Sequence, residues 1–250
     1  DLVSNVLFFE HTGSEKKAFH FRIAIDQTTS YHHLDDHTKG KLWELYIDYF
    51  YRRQDDFWKE EAMHKLPYLK EATEMLICGE DLGMVPHCVP EVMSDLGILS
   101  LEIQRMPKNQ NTEFFHPKDA PYLSVITPST HDMSTVRGWW EENRERTQKF
   151  YNSVLDLQGA APLQCESWIS RAIILQHLYS PAMWAIFQLQ DLLAMNDPLR
   201  RKDVDAERIN QPADPKHFWK YRMHISLEQL LKEKDFNNEL NDYITNSGRN

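Results

Sequence analysis

The first 70 residues combine a short strand pattern with a long helical one. Residues 6–9 form an apolar run, a turn-prone segment follows at 12–14, and residues 18–25 alternate with period two, which predicts a β-hairpin. Residues 38–65 carry apolar side chains at helical spacing with charged residues between them, which predicts an amphipathic helix. We expect Pro67 to end that helix, because proline lacks the N–H that a helix interior requires.

From residue 70 onward, short apolar segments alternate with helical ones. The interval from Ile77 to Leu101 is 24 positions, and the interval from Leu101 to Val125 is again 24. A short helix is expected from Pro90 to the residue before Gly97, since proline favours helix starts and glycine helix ends. The predicted strands are 75–78, 98–103, 122–126 and 183–187, and the remaining predicted helical regions are 135–180, broken near Gly159 and Pro162, and 227–244.

Short buried strands separated by helices are typical of repeated β-α units around a parallel sheet. The sequence therefore predicts an α/β fold. The sheet belongs either to a doubly wound layer or to part of a barrel, because four strands are too few to close an eight-stranded barrel.

Composition and charge exclude several classes of protein. The 250 residues include 38 Asp and Glu against 28 Lys and Arg, a net charge of −10, which argues against a general nucleic-acid binder. With only 8 Gly, the chain contains neither of the common phosphate-loop motifs. The apolar fraction of 41% supports a folded core rather than wholesale disorder.

Cysteine usage and the chain's first residues bear on location. Cys78, Cys88 and Cys165 form no CxxC pair, which argues against a zinc ribbon or a disulfide framework. Residues 1–5 lack the basic start and apolar run of a signal peptide, and no segment approaches the ~18 apolar residues of a membrane span. We therefore expect a soluble, reduced, cytoplasmic protein.

Acidic residues and a His-Asp pair follow two of the predicted strands. Glu80 and Asp81 come after the strand at 75–78, and His131 and Asp132 come after the strand at 122–126. Because the carboxyl ends of parallel strands carry active residues, this placement is plausible for a glycosidic site. That chemistry needs one carboxylic acid for the leaving oxygen and another carboxylate facing the oxocarbenium charge. The alternative is that Glu80 and Asp81 cap the next helix or pair with a lysine.

Four segments of the chain together carry a family resemblance. They are Cys78-Gly79-Glu80-Asp81-Leu82-Gly83-Met84-Val85-Pro86, Thr130-His131-Asp132, Gln190-Asp191-Leu192-Leu193 and Arg208-Ile209-Asn210-Gln211-Pro212, the last with Trp219 and Arg222 beyond it. In this order they resemble segments of the 4-α-glucanotransferases, the amylomaltases or disproportionating enzymes of glycoside hydrolase family 77. The stretches 99–107 and 114–119 resemble most closely the disproportionating-enzyme-2 branch.

The resemblance implies a retaining transfer of α-1,4-glucan segments between maltooligosaccharides or to glycogen-like or starch-like acceptors, without a metal or an organic cofactor. It implies that Glu80 is the general acid and base and that Asp132 stabilises the transition state. His131 matches a residue that hydrogen-bonds sugar hydroxyls, and Asp81 and Asp191 are expected to contribute to substrate binding. An acid that later acts as a base needs a raised pKa, which burial of Glu80 beside other carboxylates can supply.

One expected segment is absent from the sequence. The family's nucleophile belongs in an RIDH-type segment one strand before the acid and base, and the nearest match, Arg22-Ile23-Ala24-Ile25-Asp26, reads as a hairpin strand. The resemblance therefore implies the C-terminal part of a (β/α)8 barrel, about four β-α units, which would be inactive without an upstream part of the same polypeptide. Residues 1–69 would be an insertion of hairpin and helix, and residues 70–250 the barrel half with its terminal helix.

Other residues invite functional interpretations that we consider weaker. The histidines and aspartates of residues 31–37 resemble a metal cluster. We interpret the segment as a solvated loop, because the sequence has no second group of ligand residues that could complete a metal site. At most one of Trp139 and Trp140 can stack on a sugar, since adjacent helical residues point about 100° apart, and core packing is preferred. Cys78 is expected to be a buried, inert strand cysteine.

Arg105 and Arg137 follow strand ends and could pair with the carboxylates of the site. Two rival functions also stay open at this point. One is an α-glucan hydrolase of the same chemistry, and the other is a non-catalytic glucan-binding barrel.

Overall fold

The computed structural model describes residues 5–13, 17–83, 85–109 and 111–249. Residues 1–4, Ser14 of the predicted turn and Met84 of the first motif lie outside the described residues. The described chain separates into two compact units. One comprises the described residues up to Met75 together with Pro86–Leu96, and the other comprises Leu76–Val85 together with the described residues from Gly97 onward.

The first unit contains a β-hairpin and a long helical region. Strand β1 (Phe8–Glu10) pairs antiparallel with β2 (Phe19–Phe21), which confirms the predicted hairpin. Phe21, Ile25 and Tyr46 form the buried core of this unit. Its helices are α1 (Thr29–His32), α2 (Asp36–Asp48), a π-helical turn (Tyr49–Arg53), α3 (Gln54–Glu71) and α4 (Cys88–Leu96).

Three boundaries predicted in this unit were wrong. Strand β2 ends at Phe21, because Ala24 has φ 56°, a left-handed conformation that a strand does not contain. Pro67 lies inside α3, which continues to Glu71. Proline removes one main-chain hydrogen bond, but the ladder resumes beyond it, with the N–H of Ala72 donating to the carbonyl of Tyr68 at 3.2 Å. Helix α4 starts two residues before Pro90, which therefore lies within its first turn.

The second unit contains a parallel sheet. Strands β3 (Ser100–Ile103), β4 (Ser124–Thr127) and β5 (Trp184–Ala185) lie side by side in that order, and each neighbouring pair is parallel. Leu101 lies opposite Val125, so the interval between them matches the register of the two strands. The parallel sheet between helices confirms the α/β fold class.

The first and last predicted strands of this sheet are shorter than expected. Over residues 75–78 the structure has a single parallel bridge between Cys78 and Leu99, so Ile77 does not lie opposite Leu101. The apolar side chains of Met75 and Leu76 are exposed, and the run therefore does not form a buried strand. Residues 183–187 likewise contribute only the two residues of β5.

The helices of the second unit enclose its apolar core. Trp140, Phe150 and Ile169 are buried together, and the predicted break near Gly159 lies in the loop over residues 154–166. The tail forms two helices rather than one, because Glu233 has ψ 67° and interrupts the ladder. The helices are α5 (Val136–Glu142), α6 (Arg144–Ser153), α7 (Ser167–Leu178), α8 (Leu189–Leu193), α9 (Leu227–Lys232) and α10 (Lys234–Asn246).

Among the helices that the structure describes, none is both long enough and apolar enough to cross a membrane.

Candidate active site

Four parallel segments of the second unit run to the same edge of the sheet, and a pocket of about 560 Å³ opens there. This volume lies within the range of small-molecule binding sites, which combine apolar walls with a few polar groups. The pocket has both kinds of lining. Its polar side chains include Glu80, Thr130, His131 and Gln188, and its apolar wall includes Leu101, Val125, Trp184, Ile186 and Phe187.

Glu80 lies in this pocket, two residues after the bridge at Cys78. The backbone before it is anchored, because the N–H of Gly79 donates to the carbonyl of Leu99 at 2.8 Å. The side chain is exposed, which differs from the expected burial beside other carboxylates. No hydrogen bond or ion pair joins its carboxylate to another residue that the structure describes, so the group is available to a ligand.

Asp81 turns away from the pocket, although it directly follows Glu80. It is buried, with Oδ1 accepting from the N–H of Leu101 at 2.8 Å and Oδ2 paired with Lys108 Nζ at 2.6 Å. The same Lys108 also pairs with Glu102 at 2.7 Å. The sequence left two structural roles open for Asp81, capping the next helix or pairing with a lysine. The structure shows the pairing with a lysine.

His131 and Asp132 lie on the loop between β4 and α5. Asn210 Nδ2 donates to Asp132 Oδ1 at 2.6 Å, and His131 Nε2 lies 3.4 Å from Asp132 Oδ2. The His131 ring also contacts the ring of Trp219, with 4.8 Å between the centroids. His131 lines the pocket and Asp132 follows it, both about half exposed, so the loop presents an imidazole and an oriented carboxylate.

Asp191 is not brought to the pocket surface. It is fully buried in the first turn of α8, where its Oδ1 accepts from the N–H of Val136 at 2.8 Å. Burial raises the pKa of this carboxyl above its usual range, against the opposing effects of the Ser129 hydroxyl, the hydrogen bond from Val136 and the charge of Arg105. Asp191 therefore holds the start of α5 from the protein interior and does not line the pocket.

The two candidate arginines do not pair with the predicted carboxylates at the pocket. Arg137 pairs with Glu207 at 2.5 Å in the protein interior. Arg105 donates to main-chain carbonyls of the loop that carries Asp132, at Pro128 and Ser134. The prediction of direct pairing with Glu80 or Asp132 was wrong, because both arginines are buried and neither lines the pocket.

Trp139 and Trp140 both belong to the core, at 5% and 1% exposure, as preferred from their positions on a helix. Trp139 packs edge-on against Phe150, and Trp140 Nε1 donates to the carbonyl of Pro162 at 3.0 Å. Neither is placed to stack on a sugar.

Cys78, unlike the two tryptophans, does not lie where the sequence predicts. It was expected to be buried, yet it is exposed and lines the pocket, because its single bridge leaves it outside a fully paired strand.

Residues 31–37 form helix ends rather than the expected loop. Asp35 caps α2, with its Oδ1 accepting from the N–H of Thr38 at 3.0 Å. Within the part of the chain that the structure describes, no group of three or more His, Cys, Asp or Glu side chains is arranged to hold a metal ion.

Sequence reasoning missed the partners around Asp81, which are the partly exposed Lys108 and the buried Glu102. A lone lysine in a loop 27 residues beyond Asp81 gives no pattern that would reveal the pairing. Asn210 stood within a motif, but only the fold shows that it holds Asp132.

Comparisons with known proteins agree on one family. The family profile described as 4-alpha-glucanotransferase (Glyco_hydro_77) matches residues 24–228. The chain is 41% identical over 249 residues to 4-alpha-glucanotransferase DPE2 of Oryza sativa subsp. japonica, covering 100% of this chain and 26% of that protein. It is 35% identical over 191 residues to a 4-alpha-glucanotransferase of Chlamydia pneumoniae, covering 71% of this chain and 36% of that protein.

A solved structure is also similar in fold. It is described as amylomaltase from Streptococcus agalactiae in complex with acarbose, with a TM-score of 0.57 and 19% identity, over 75% of this chain and 35% of that one. The chain thus spans between about a quarter and just over a third of the length of these known proteins.

Proposed function

The chain belongs to the 4-alpha-glucanotransferase family, glycoside hydrolase family 77, and on that premise we propose that it supplies half of the active site of such an enzyme. The reaction moves α-1,4-glucan segments between maltooligosaccharides, or to glycogen-like or starch-like acceptors, by a retaining double displacement. One observation carries the proposal. Glu80 and the His131-Asp132 pair follow parallel segments of one sheet, and Glu80 and His131 line the same pocket.

Glu80 is the general acid and base of the proposed mechanism. It first protonates the glycosidic oxygen that leaves, and it then takes a proton from the sugar hydroxyl that attacks. Its availability supports this role, because the carboxylate is exposed in the pocket and engaged by none of the described residues.

Asp132 stabilises the positive charge that develops at the anomeric carbon, and His131 binds hydroxyls of the same sugar. A carboxylate serves this purpose only if it is fixed before the charge develops. The hydrogen bond from Asn210 holds the Asp132 carboxylate, and the contact with Trp219 restrains the ring of His131.

Asp81 and Asp191 act indirectly in this proposal. Their carboxylates hold the backbone at Leu101 and Val136, so we assign them to the shape of the sugar-binding site rather than to contact with sugar.

The nucleophile comes from elsewhere in the proposed site. A retaining mechanism needs a second carboxylate roughly 5 Å from the acid and base. Glu80 is the only acidic residue among the described side chains that line the pocket. We therefore propose that this chain is the C-terminal part of a (β/α)8 barrel and acts within a longer polypeptide, termed the intact polypeptide, whose upstream part carries the nucleophile.

In this arrangement residues 1–69 form an insertion of hairpin and helix, and residues 70–250 form the barrel half with its terminal helices. We propose a cytoplasmic location, which fits the three free cysteines.

The product distribution from maltotriose tests the proposed function, using the intact polypeptide beside this 250-residue chain. We expect the intact polypeptide to give both shorter and longer oligosaccharides, and the chain alone to give none. Only shorter products with new reducing ends would instead indicate a hydrolase. Glucan binding without any turnover would indicate a binding module.

A further inference from the structure

Arg105 holds the loop that carries His131 and Asp132 from both sides. It lies two residues after β3 and is 7% exposed. Its Nε donates to the carbonyl of Pro128 at 3.0 Å, and its Nη2 donates to Ser129 Oγ at 2.8 Å and to the carbonyl of Ser134 at 2.6 Å. The acceptors therefore lie before and after the segment 130–132.

The guanidinium is itself fixed in place. It stacks 5.1 Å from the ring centroid of Trp139, which is a core residue of α5. Burial lowers the pKa of Arg105 to about 10, so the group still carries its charge at neutral pH, and the charge of Asp191 favours that state. Since Asp191 also accepts from the N–H of Val136, the two buried side chains hold the loop and its exit into α5 together.

We propose that Arg105 is a positioning residue of the active site, acting through the loop 128–134 to set the place of Asp132. The inference rests on the proposed function, because it concerns the same site. A rigid planar guanidinium can hold several acceptors at once, which the single ammonium group of lysine cannot do with the same geometry. A shift of about 1 Å in a group facing the transition state can cost about a hundredfold in rate.

A second arginine shows what a purely structural role would look like. Arg249 donates to the carbonyl of Leu178, the last residue of α7, and to the carbonyls of Ser180 and Ala182 in the loop that precedes β5. It therefore holds a loop by the same chemistry at the amino end of a strand, whereas the candidate site lies at the carboxyl ends. Arg249→Lys is the matched control for Arg105→Lys.

The test compares kcat and KM for maltotriose disproportionation in the intact polypeptide, together with thermal unfolding. We expect Arg105→Lys to lower kcat by ~30- to 100-fold with KM changed less than about threefold, because the loss concerns transition-state geometry rather than ground-state binding. Arg249→Lys is expected to lower the unfolding temperature while kcat stays within about threefold of wild type. Equal kcat values in wild type and Arg105→Lys, or a loss confined to KM, would overturn the inference.

Ser129→Ala provides a second variant if Arg105→Lys does not fold. It removes one acceptor of Arg105 and leaves the two carbonyl partners. Because the Ser129 hydroxyl also lies beside the buried Asp191 and lines the pocket, we expect a small fall in unfolding temperature. We expect kcat to fall by ~3- to 10-fold with KM changed less than about threefold, since lost contact with the sugar would instead raise KM. An unchanged kcat in this variant would contradict the inference. A wild-type polypeptide without any turnover would overturn the proposed function and this inference with it, whereas active wild type with equally active variants overturns the inference alone.

Discussion

Asn210 and Asp132 are 78 positions apart in the sequence, and the amide of Asn210 donates to the carboxylate of Asp132 at 2.6 Å. The contact joins the loop after β4 to the segment that follows α8. A carboxylate oriented by an amide keeps its negative charge and loses rotational freedom, which suits a group that must face a short-lived positive charge. This contact therefore supports the role proposed for Asp132.

Asn210→Ala is expected to reduce transfer activity without unfolding the protein. The substitution leaves the Asp132 carboxylate in place but removes its orienting donor, so we expect kcat to fall by ~10- to 100-fold. Disproportionation kinetics of the intact polypeptide measure this effect. Asn238→Ala, an exposed position on α10, is the matched control and is expected to leave kcat unchanged. An Asn210→Ala enzyme as fast as wild type would show that the contact does not matter for Asp132.

Lys108→Met is expected to destabilise the loop that carries Glu80. The substitution leaves the carboxylates of Asp81 and Glu102 buried at 5% and 9% side-chain exposure without their cation. Removing one partner of a buried pair typically costs several kcal/mol, and we expect a loss of about 2–4 kcal/mol because Lys108 itself is partly exposed.

The free energy of unfolding from urea titration measures the effect of Lys108→Met. Lys118→Met is the control, since Lys118 is exposed. Equal destabilisation by both substitutions would count against a structural role for the Lys108 cluster.

His177 is expected to make stability depend on pH between about 4 and 6.5. Burial lowers the pKa of His177 to about 4, while the unfolded value is about 6.5. The unfolded state therefore binds more protons in this range, so this contribution to stability is present above pH 6.5 and is lost as pH falls towards 4. Relative to pH 7, the expected loss at pH 4.5 is about 2 kcal/mol.

His177→Leu is expected to remove that part of the pH dependence. Urea unfolding of wild type and variant at pH 7 and pH 4.5 measures the difference between their slopes. His37→Leu, an exposed position, serves as the control and should keep the wild-type slope. If His177→Leu also kept it, another group would be responsible for the acid sensitivity.

The sequence predicted those strands and helices in which the spacing of apolar residues matches the side chains that are buried in the fold. The interval of 24 residues between Leu101 and Val125 matches their register, whereas the same interval from Ile77 to Leu101 does not correspond to a pair. The length of a strand depends on what lies beside it, and this is why Cys78 forms only one bridge and β5 only two residues. The path of α3 through Pro67 could not be predicted either, because the cost of one missing hydrogen bond is offset by the helix around it.

The candidate site was predictable where function depends on position at a strand end. Glu80 and His131 lie at the pocket as expected from that rule and from the family resemblance. Asp81 and Asp191 share the same motifs but face the interior, because a motif does not reveal the direction of a side chain. Lys108 and Arg105 act on distant segments, and such contacts follow only from the folded chain.

In the proposed mechanism Glu80 performs the proton transfers of glucan transfer, and the substitution Glu80→Gln in the intact polypeptide tests this role. Glutamine keeps the shape of the side chain but cannot donate or accept the proton, so we expect redistribution of maltotriose to fall by at least ~100- to 10,000-fold. The unfolding temperature should change little, since Glu80 is exposed, and Glu74→Gln, another exposed glutamate, should behave as wild type. Redistribution by Glu80→Gln at a rate close to that of wild type would show that Glu80 is not the general acid and base.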